Sequence, residues 1–332
     1  LLMDIVGVSV TSRQVERYEL PEPRYKTAEA KNGVASWKQW AESSREKIKP
    51  RINLLSSVVD EIERTGYASE DDLRLQREHE RLTGLNRKLS DFLVYVDETW
   101  IFQTGKTRSG GERWSFRPLW ITEEIANRYF WRHGKRFLLM SATLPPKPVL
   151  CQILGLDPDN VTETDVPSLF DPERREVKNR SARVGCVSQK TLDEKLPAII
   201  SEVRAILVEH PNDKGLIHTV SYKIAQEIMQ QVKSDRLIAH NGSNRLEKIE
   251  EFKKSSRPVV LVSPSNERGA SFDGDLCRFI VWAKAPFLNL GDKAVNKRLY
   301  GSGKIGAYWY QSQMAQSVIQ GAGRGMRSAD DR

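Results

Sequence analysis

The chain has 332 residues, enough for two or three domains that each bury a hydrophobic core. Hydrophobic residues make up 39% and charged residues 29%, a globular balance that excludes a disordered polypeptide. The longest apolar runs, Phe137–Met140 and Val259–Val262, are far too short to span a bilayer, so we expect no membrane association. A formal net charge of +8 suits a protein that binds a polyanion, but charge alone does not establish one.

The three cysteines, Cys151, Cys186 and Cys277, are far apart and form no short pair. This spacing argues against a disulfide framework and against a zinc knuckle. It favours a reducing, intracellular setting, with the cytoplasm as the expected location. No set of metal ligands is predicted.

The first third of the chain is heavily charged and helical in pattern. Between Ser36 and Phe92 apolar residues recur at steps of three and four, and Gly66 interrupts them, which predicts two amphipathic helices in an antiparallel hairpin. We interpret the hairpin as a packed helical subdomain with solvated charges. Contact between its arginines and nucleic acid is an alternative, although these residues alternate with acids. The apolar positions are Ile48, Ile52, Leu55, Val59, Ile62, Leu82, Leu85, Leu89 and Phe92, and the arginines are Arg74, Arg77, Arg81 and Arg87.

After Phe92 short apolar runs alternate with helical stretches. This alternation predicts an α/β fold with a parallel sheet covered by helices on both faces. In such sheets ligands bind at the carboxyl ends of the strands, so the loops that follow the strands are where chemistry is expected. The predicted strands are Phe137–Met140, Gly215–His218, Leu237–His240, Val259–Val262 and Phe279–Trp282. The predicted helices between them are Leu192–Glu209, Tyr222–Val232 and Asn244–Lys254.

The segment from Gln320 to Arg327 reads Q-G-A-G-R-G-M-R and follows a helical stretch, Gln311–Ile319. If the helix continues, Gln320, Arg324 and Arg327 share one face, and the intervening glycines let that face approach another surface closely. Two guanidinium groups on one stiff element suit a polyphosphate and can neutralise charge as a γ-phosphate leaves. The alternative is a surface helix with ordinary arginines. The glycines count against it, because each weakens a helix.

This segment resembles motif VI of superfamily-two helicases, and three other segments follow that family's order. Ser141–Thr143 resembles motif III, Gly215–Tyr222 resembles motif IV, and Ser263–Gly269 resembles motif V. Finer details are similar to the DinG/XPD group, which also carries a helical arch ahead of motif III. They are found at Leu138–Leu144, Leu276–Val281, Lys284–Phe287 and Trp309–Tyr310.

The resemblance implies the carboxy-terminal part of a DinG/XPD-type ATP-dependent DNA helicase, without the phosphate-binding loop. Residues 1–113 would form an arch-like helical insertion and a return strand. Residues 114–160 would form the end of the first motor domain, with motif III. Residues 161–332 would form a RecA-like second motor domain with motifs IV, V and VI.

The resemblance also implies roles for individual residues. Arg324 and Arg327 would act as arginine fingers positioned by Gln320, and Ser141 and Thr143 would couple domain closure to hydrolysis. The family's acidic residue two places after the motif V glycine is replaced here by Ser271, which leaves the nucleotide contacts of motif V open. The expected nucleotide contacts are Glu267, Gly269, Asp273 and Gly323, and the expected nucleic-acid contacts are Thr219, Ser221, Arg245, Ser263 and Arg268.

The ligands follow from the same resemblance. ATP and Mg²⁺ would be held mainly by a region upstream of this segment, which by itself would bind ATP weakly or not at all. The other partner would be single-stranded or forked DNA, with travel from 5′ to 3′ and a role in DNA repair. The sequence does not decide whether the whole protein carries an iron–sulfur cluster, because in the family the cluster cysteines lie upstream of this segment, and the three cysteines here lack cluster spacing. It leaves the oligomeric state open as well.

Two segments imitate nucleotide-binding motifs. Phe92–Glu98 looks like a Walker B strand, but residues 1–91 contain no phosphate loop to precede it. Thr104–Thr107 looks like the end of a Walker A loop, but Trp100 stands where its first glycine should be. We interpret Phe92–Glu98 as a return into the first motor domain, and the glycines at 105, 110 and 111 as a polar turn between two strands.

Two other kinds of function stay open on the sequence. One is a nucleic-acid-binding module that keeps the helicase fold and has lost turnover. The other is a structural or protein-interaction domain that uses the charged hairpin. The sequence begins at Leu1 and stops at Arg332, directly after the motif VI-like segment. We therefore expect a segment of a longer protein.

Overall fold

A computed structural model describes residues 5–23, 30–168, 171, 173, 176–264, 271–272 and 274–325. It divides the chain into two units. The first comprises Leu1–Leu139, Lys147–Thr162 and Asn289–Ala307, and the second Met140–Pro146, Glu163–Leu288 and Tyr308–Arg332. The domain boundaries drawn from the sequence stay a prediction.

The helices and strands have the following bounds in chain order: β1 (Val8–Thr11), α1 (Ser12–Tyr18), α2 (Gly33–Thr65), α3 (Glu70–Tyr95), β2 (Ile101–Lys106), β3 (Glu112–Arg117), α4 (Glu123–Tyr129), α5 (Lys147–Leu154), α6 (Ser181–Val184), α7 (Leu192–Glu209), β4 (Gly215–His218), α8 (Tyr222–Val232), β5 (Leu237–Ala239), α9 (Arg245–Lys254), β6 (Val260–Ser263), β7 (Phe279–Trp282), α10 (Lys293–Gly301) and α11 (Gly303–Ala322). Short 3₁₀ turns lie at Trp131–His133, Pro158–Asn160 and Gly274–Leu276.

The helical hairpin is formed by α2 and α3, as the sequence predicts. Gly66 ends α2 in the left-handed conformation, with φ of +67°, and its N–H donates to the Ile62 carbonyl. Four residues later α3 begins with a capping box. The Ser69 hydroxyl accepts from the Asp72 N–H, and the Asp72 carboxylate accepts from the Ser69 N–H. Local sequence therefore fixes both the break and the restart of the hairpin.

The first unit also contains a three-stranded antiparallel sheet in the order β1-β3-β2. Gly110 makes the tight turn between β2 and β3, with φ of +86°. Gly105 lies inside β2, not in the turn, which corrects the expectation for that glycine. Residues 92–95 form the last turn of α3 and no strand, so the Walker B imitation at Phe92–Glu98 has the wrong backbone for that motif.

The core of the first unit is aromatic and centres on Phe116 of β3. This ring is fully buried, and its centroid lies 4.7 Å from that of Phe102 and 4.8 Å from that of Trp40. The rings of Phe92 and Trp37 are 5.1 and 5.3 Å away. Because these partners belong to α2, α3 and β2, the Phe116 ring holds the hairpin against the sheet.

Phe137–Met140 does not form the buried strand that its apolar sequence predicts. These residues have no regular secondary structure, and Leu138 and Met140 are 79% and 82% exposed. A strand exists only when a neighbouring strand satisfies its backbone N–H and C=O groups. None of the strands in the described parts of the chain pairs with residues 137–140.

The second unit is built on a four-stranded parallel sheet in the order β5-β6-β4-β7. The central strands β4 and β6 are buried along their whole length. Successive residues of these strands face different cores: Ile217 packs with α7 and α8, whereas Leu216 packs with α9. Helices therefore cover both faces of the sheet, which confirms the predicted α/β architecture.

Arg236 ties together the amino-terminal ends of these strands and the end of α7. Its guanidinium donates to four backbone carbonyls, those of Leu207, His210, Asp213 and Pro258, at 2.7–3.0 Å. Because loop carbonyls inside a fold need a donor, one side chain here replaces the hydrogen bonds that regular structure would supply.

Arg236→Ala is expected to lower the unfolding free energy by about 2–3 kcal/mol, because it leaves several carbonyls without a donor. Chemical denaturation of the full chain measures the change. The control is Arg257→Ala, since Arg257 forms only an exposed ion pair with Asp235. Equal destabilisation by the two variants would contradict the role given to Arg236.

Candidate functional site

The carboxyl edge of the parallel sheet gathers the polar residues that follow β4, β5 and β6. The Thr219 N–H donates to the Ser263 carbonyl at 2.8 Å, and its hydroxyl is 3.2 Å from the same oxygen and 3.0 Å from the Ser221 carbonyl. His240 Nε2 lies 3.0 Å from the Ser263 hydroxyl. Thr219 and Ser263 are fully buried. Their hydroxyls therefore connect the chain segments at the ends of these strands. The contact with nucleic acid predicted for both residues stays a prediction.

The turn from β4 into α8 adopts an uncommon backbone conformation. Val220 has a φ of +59°, which is costly for a β-branched residue. It separates buried Thr219 from half-buried Ser221, whose carbonyl accepts the first hydrogen bond of α8. Tyr222 follows with 55% exposure. The strained turn thus places Ser221 at the start of α8, at the edge where nucleic-acid contacts were predicted.

The loop from β5 to α9 lies at the same edge and leads directly to Arg245. Asn241 Oδ1 accepts from the N–H groups of Ser243 and Asn244, at 2.9 and 3.1 Å, and Asn244 Oδ1 accepts from the Asn241 N–H at 2.8 Å. This network rigidifies the connection from β5 to α9. Arg245 is half-buried at the first position of α9. Its predicted contact with a phosphate stays a prediction.

The end of α11 packs closely on the carboxyl ends of β4 and β7. A Cβ atom on Gly321 would overlap the Trp282 ring and lie 3.3 Å from His218 Nε2. The His218 and Trp282 rings are themselves stacked, with centroids 4.3 Å apart. Glycine at 321 therefore brings the helix onto this pair, as expected for a motif that needs close approach.

The helix does not continue through Arg324, which corrects the expectation that Gln320 and Arg324 share one helix face. α11 ends at Ala322. Beyond it the Arg324 N–H donates to the Gly321 carbonyl at 3.2 Å and the Gly325 N–H to the Ala322 carbonyl at 3.3 Å, so the chain tightens into i→i−3 turns. The run of glycines explains the change, because glycine is a poor helix former.

Arg324 nevertheless occupies a defined place. The residue is half-buried, and its Nε atom is buried. Its carbonyl accepts a hydrogen bond from the Phe272 N–H at 3.3 Å, which links the motif VI-like turn to the segment after motif V. The structure therefore restrains this arginine through both its backbone and its side chain.

The structure brings the motif III-like and motif VI-like segments together within the second unit. Gln320 Nε2 donates to the Thr143 hydroxyl at 3.1 Å, and Gln316 Nε2 donates to the Thr143 carbonyl at 2.6 Å. Ser141 Oγ in turn accepts from the Thr143 N–H at 3.2 Å. The sequence analysis missed Gln316. Its position one helical turn before Gln320 is the signal that could have identified it.

Several predicted site residues lie outside the described part of the chain. They are Glu267, Arg268, Gly269, Asp273 and Arg327, whose roles stay predictions. Gly323 is described, and its N–H donates to the Ile319 carbonyl at 2.9 Å. Among the described residues no group of three or more His, Cys, Asp or Glu side chains is placed to hold a metal ion. The helices within the described ranges include none that is long and apolar enough to cross a membrane.

Comparison with known proteins gives one family match and several similar structures. Residues 205–332 match the family described as the helicase C-terminal domain. No curated protein matches the chain. Among solved structures, Xpd4 of S. tokodaii is 17% identical with a TM-score of 0.44, over 99% of this chain and 67% of that one. A structure named XPD helicase is 12% identical with a TM-score of 0.45, over 99% of this chain and 60% of that one. A structure named XPD apo is 13% identical with a TM-score of 0.46, over 89% of this chain and 69% of that one.

A parallel sheet whose carboxyl edge meets a glycine- and arginine-rich helix end is the architecture expected of a helicase motor domain. The family match covers residues 205–332, which is less than half of the chain. The helicase relationship inferred from the motifs is thereby confirmed for this part of the chain. The chain spans 60–69% of the lengths of the three XPD structures.

Proposed function

We propose that the chain is the carboxy-terminal motor part of an ATP-dependent DNA helicase of the DinG/XPD type. In this role the second unit senses the nucleotide state and moves along a single strand. ATP and Mg²⁺ would be held mainly by a phosphate loop and an acidic box in an upstream region. Travel from 5′ to 3′ and a place in DNA repair are part of the proposal, carried over from the resemblance.

The observation that carries the proposal is the hydrogen bond from Gln320 to Thr143. In a motor of this kind motif III must report domain closure to the residues that contact the γ-phosphate. A glutamine directly before the glycine- and arginine-rich turn, bonded to the S-A-T segment, supplies such a connection. The Gln316 bond to the Thr143 backbone holds the acceptor in place, so that the Gln320 bond can respond to small movements.

Arg324 is assigned the electrostatic role in hydrolysis. A planar guanidinium donates two parallel hydrogen bonds to phosphate oxygens and stabilises charge that develops as the terminal phosphate leaves. The half-buried position of Arg324 fits this use, because a restrained side chain loses less entropy on binding. Arg327 would supply the second guanidinium.

A double-mutant cycle on Thr143 and Gln320 tests the proposed connection. In the full-length protein, Thr143→Val and Gln320→Met should each lower DNA-stimulated ATP turnover by about fivefold, the equivalent of a lost hydrogen bond of roughly 1 kcal/mol. The double variant should be no slower than either single variant, because both remove the same bond.

The matched control is Gln231→Met, which removes an exposed amide side chain that donates to Glu227 on its own helix. It should leave turnover unchanged. Additive losses in the Thr143 and Gln320 variants would show that the two residues act separately and would contradict the coupling role.

The non-catalytic strand-binding module is the competing function. It predicts salt-sensitive binding of single strands without turnover of ATP by the full-length protein. A coding sequence with G-x-x-x-x-G-K-[ST] followed by D-E-x-H upstream of this segment would favour the enzyme.

A further inference from the structure

Two adjoining cavities open beside α1 in the first unit, with volumes of about 340 and 410 Å³. Volumes of this size fall at the lower end of the roughly 300–1,000 Å³ typical of small-ligand sites. Arg17 and Tyr18 line both cavities. Thr11, Arg13, Gln14 and Arg81 complete the first, and Glu19, Lys47, Arg51 and Glu78 complete the second. The proposed motor function uses none of these residues.

The lining is strongly basic. Five cationic side chains face two carboxylates, which leaves a net charge of +3 around the two cavities. Glu78 is buried, and its single negative charge is shared by Arg17 and Arg51, at 2.6 and 3.1 Å. The other carboxylate, Glu19, lies 3.4 Å from the Lys47 ammonium. The carboxylates of the lining are therefore already engaged within the second cavity.

Arg13 and Arg81 are the cations that these carboxylates do not reach. Within the part of the chain that the structure describes, neither forms an ion pair, although both line the first cavity. Other arginines of the hairpin behave differently: Arg64 is paired with Glu61 and Arg74 with Asp71. Both residues are exposed, and their guanidinium groups carry positive charge that no carboxylate of the lining neutralises. An anion in the cavity would be attracted by both groups.

Tyr18 adds an aromatic surface to the same cavity. The Arg17 guanidinium lies 5.5 Å from the centroid of the Tyr18 ring. The pKa of Tyr18 is raised, first by burial and then by the Glu78 carboxylate, so its hydroxyl keeps its proton near neutral pH. The Tyr18 hydroxyl oxygen is itself buried, so the ring is the part of this side chain that a ligand can contact. An aromatic ring among arginines is a surface on which nucleotides stack.

We propose that this cavity is a secondary nucleic-acid site, in which Arg13 and Arg81 bind the phosphodiester backbone of a single strand beside the helical hairpin. Recognition of phosphate follows from the cavity alone. The choice of nucleic acid as its source rests on the proposed helicase function. Phosphate rather than carboxylate is favoured, because a single strand carries one phosphate per nucleotide, so that Arg13 and Arg81 can each bind a phosphate of their own.

The test compares two double variants of the full-length protein that remove equal charge. Arg13→Ala/Arg81→Ala alters the cavity, and Arg64→Ala/Arg74→Ala removes paired arginines from the same hairpin. Binding of a labelled oligothymidine is measured without ATP at several salt concentrations. The slope of log affinity against log salt should fall by about 1.4 in the cavity variant, roughly 0.7 for each lost phosphate contact, and should not change in the control.

Two results would overturn the proposal. An equal fall in slope for both double variants would mean that general charge drives binding. An unchanged slope in the cavity variant would mean that the cavity binds no strand. If calorimetry then showed that the same variant no longer binds inorganic phosphate, the cavity would be a site for free phosphate. Thermal melts check that both variants fold. Because no ATP is present, the measurement stands even if the hydrolysis role of Arg324 fails.

Discussion

Arg324→Ala is expected to abolish ATP turnover by the full-length protein, with a loss of about 10³-fold or more, while single-strand binding stays within a few-fold. The loss follows from the role of the side chain, because an arginine that stabilises the transferring phosphoryl group contributes about 10³–10⁵ to the rate. Strand binding should survive, since the proposal assigns the phosphate contacts of the strand to other residues. Phosphate release and oligothymidine binding, measured on the same preparation, check both halves.

Two further variants show whether geometry or charge matters. Arg324→Lys keeps the positive charge but loses the planar fork, so it should recover only a small part of the turnover. Arg257→Ala removes an exposed arginine of the same unit and should hydrolyse ATP at the normal rate. Persistent hydrolysis in Arg324→Ala would remove the arginine-finger role, and the module without turnover would then be the better description.

The sequence predicts elements well where the signal is local. The three- and four-residue spacing of Ile48, Ile52 and Leu55 reports one buried helix face, and Gly66 marks the left-handed end of that helix. Short apolar runs likewise locate β4 and β6, because a central parallel strand is buried on both faces, and they also locate the half-buried edge strand β7. Each of these signals lies within a single element and needs no partner elsewhere in the chain.

Prediction fails where structure depends on a neighbour. Phe137–Met140 has the composition of a buried strand, yet composition does not provide the adjacent strand that would pair with it. The motif VI-like segment has the spacing of a helix, but its glycines let the chain tighten after Ala322. In both cases the predicted backbone conformation is wrong, because the local pattern does not contain the interaction that decides it.

The candidate sites show the same division. The motif-like segments identified Gln320 and Thr143 separately, and only the fold shows the hydrogen bond between them. The sequence does not predict the basic cavity either, because its arginines are far apart in the chain. Arg13 precedes the hairpin, and Arg81 lies on its second helix. Along α3 arginines alternate with acids, and in the structure Arg74 is paired while Arg81 is not. Charge in sequence therefore does not reveal which arginines are available for a ligand.

The largest loss of stability is expected from Phe116→Ala, at about 3–5 kcal/mol, the usual range for truncating a buried phenylalanine. Four aromatic rings contact Phe116 within 5.3 Å. The cavity left by alanine cannot collapse easily, because these rings are held by two helices and a strand. The loss of these ring pairs is part of that range and places the expected value towards its upper end.

Hydrogen exchange locates the effect of Phe116→Ala along the chain, because it measures the exchange rate of each backbone amide separately. Amides of α2, α3 and the β1-β3-β2 sheet should exchange faster in the variant. The control is Tyr67→Ala in the hairpin turn, where the side chain is 75% exposed and should contribute little. If the hairpin amides exchanged equally slowly in both variants, something other than the aromatic cluster would hold the hairpin in position. The cavity that contains Arg13 and Arg81 would then lack the rigid wall on which selective phosphate binding depends, because Arg81 lies on the helix that this cluster holds against the sheet.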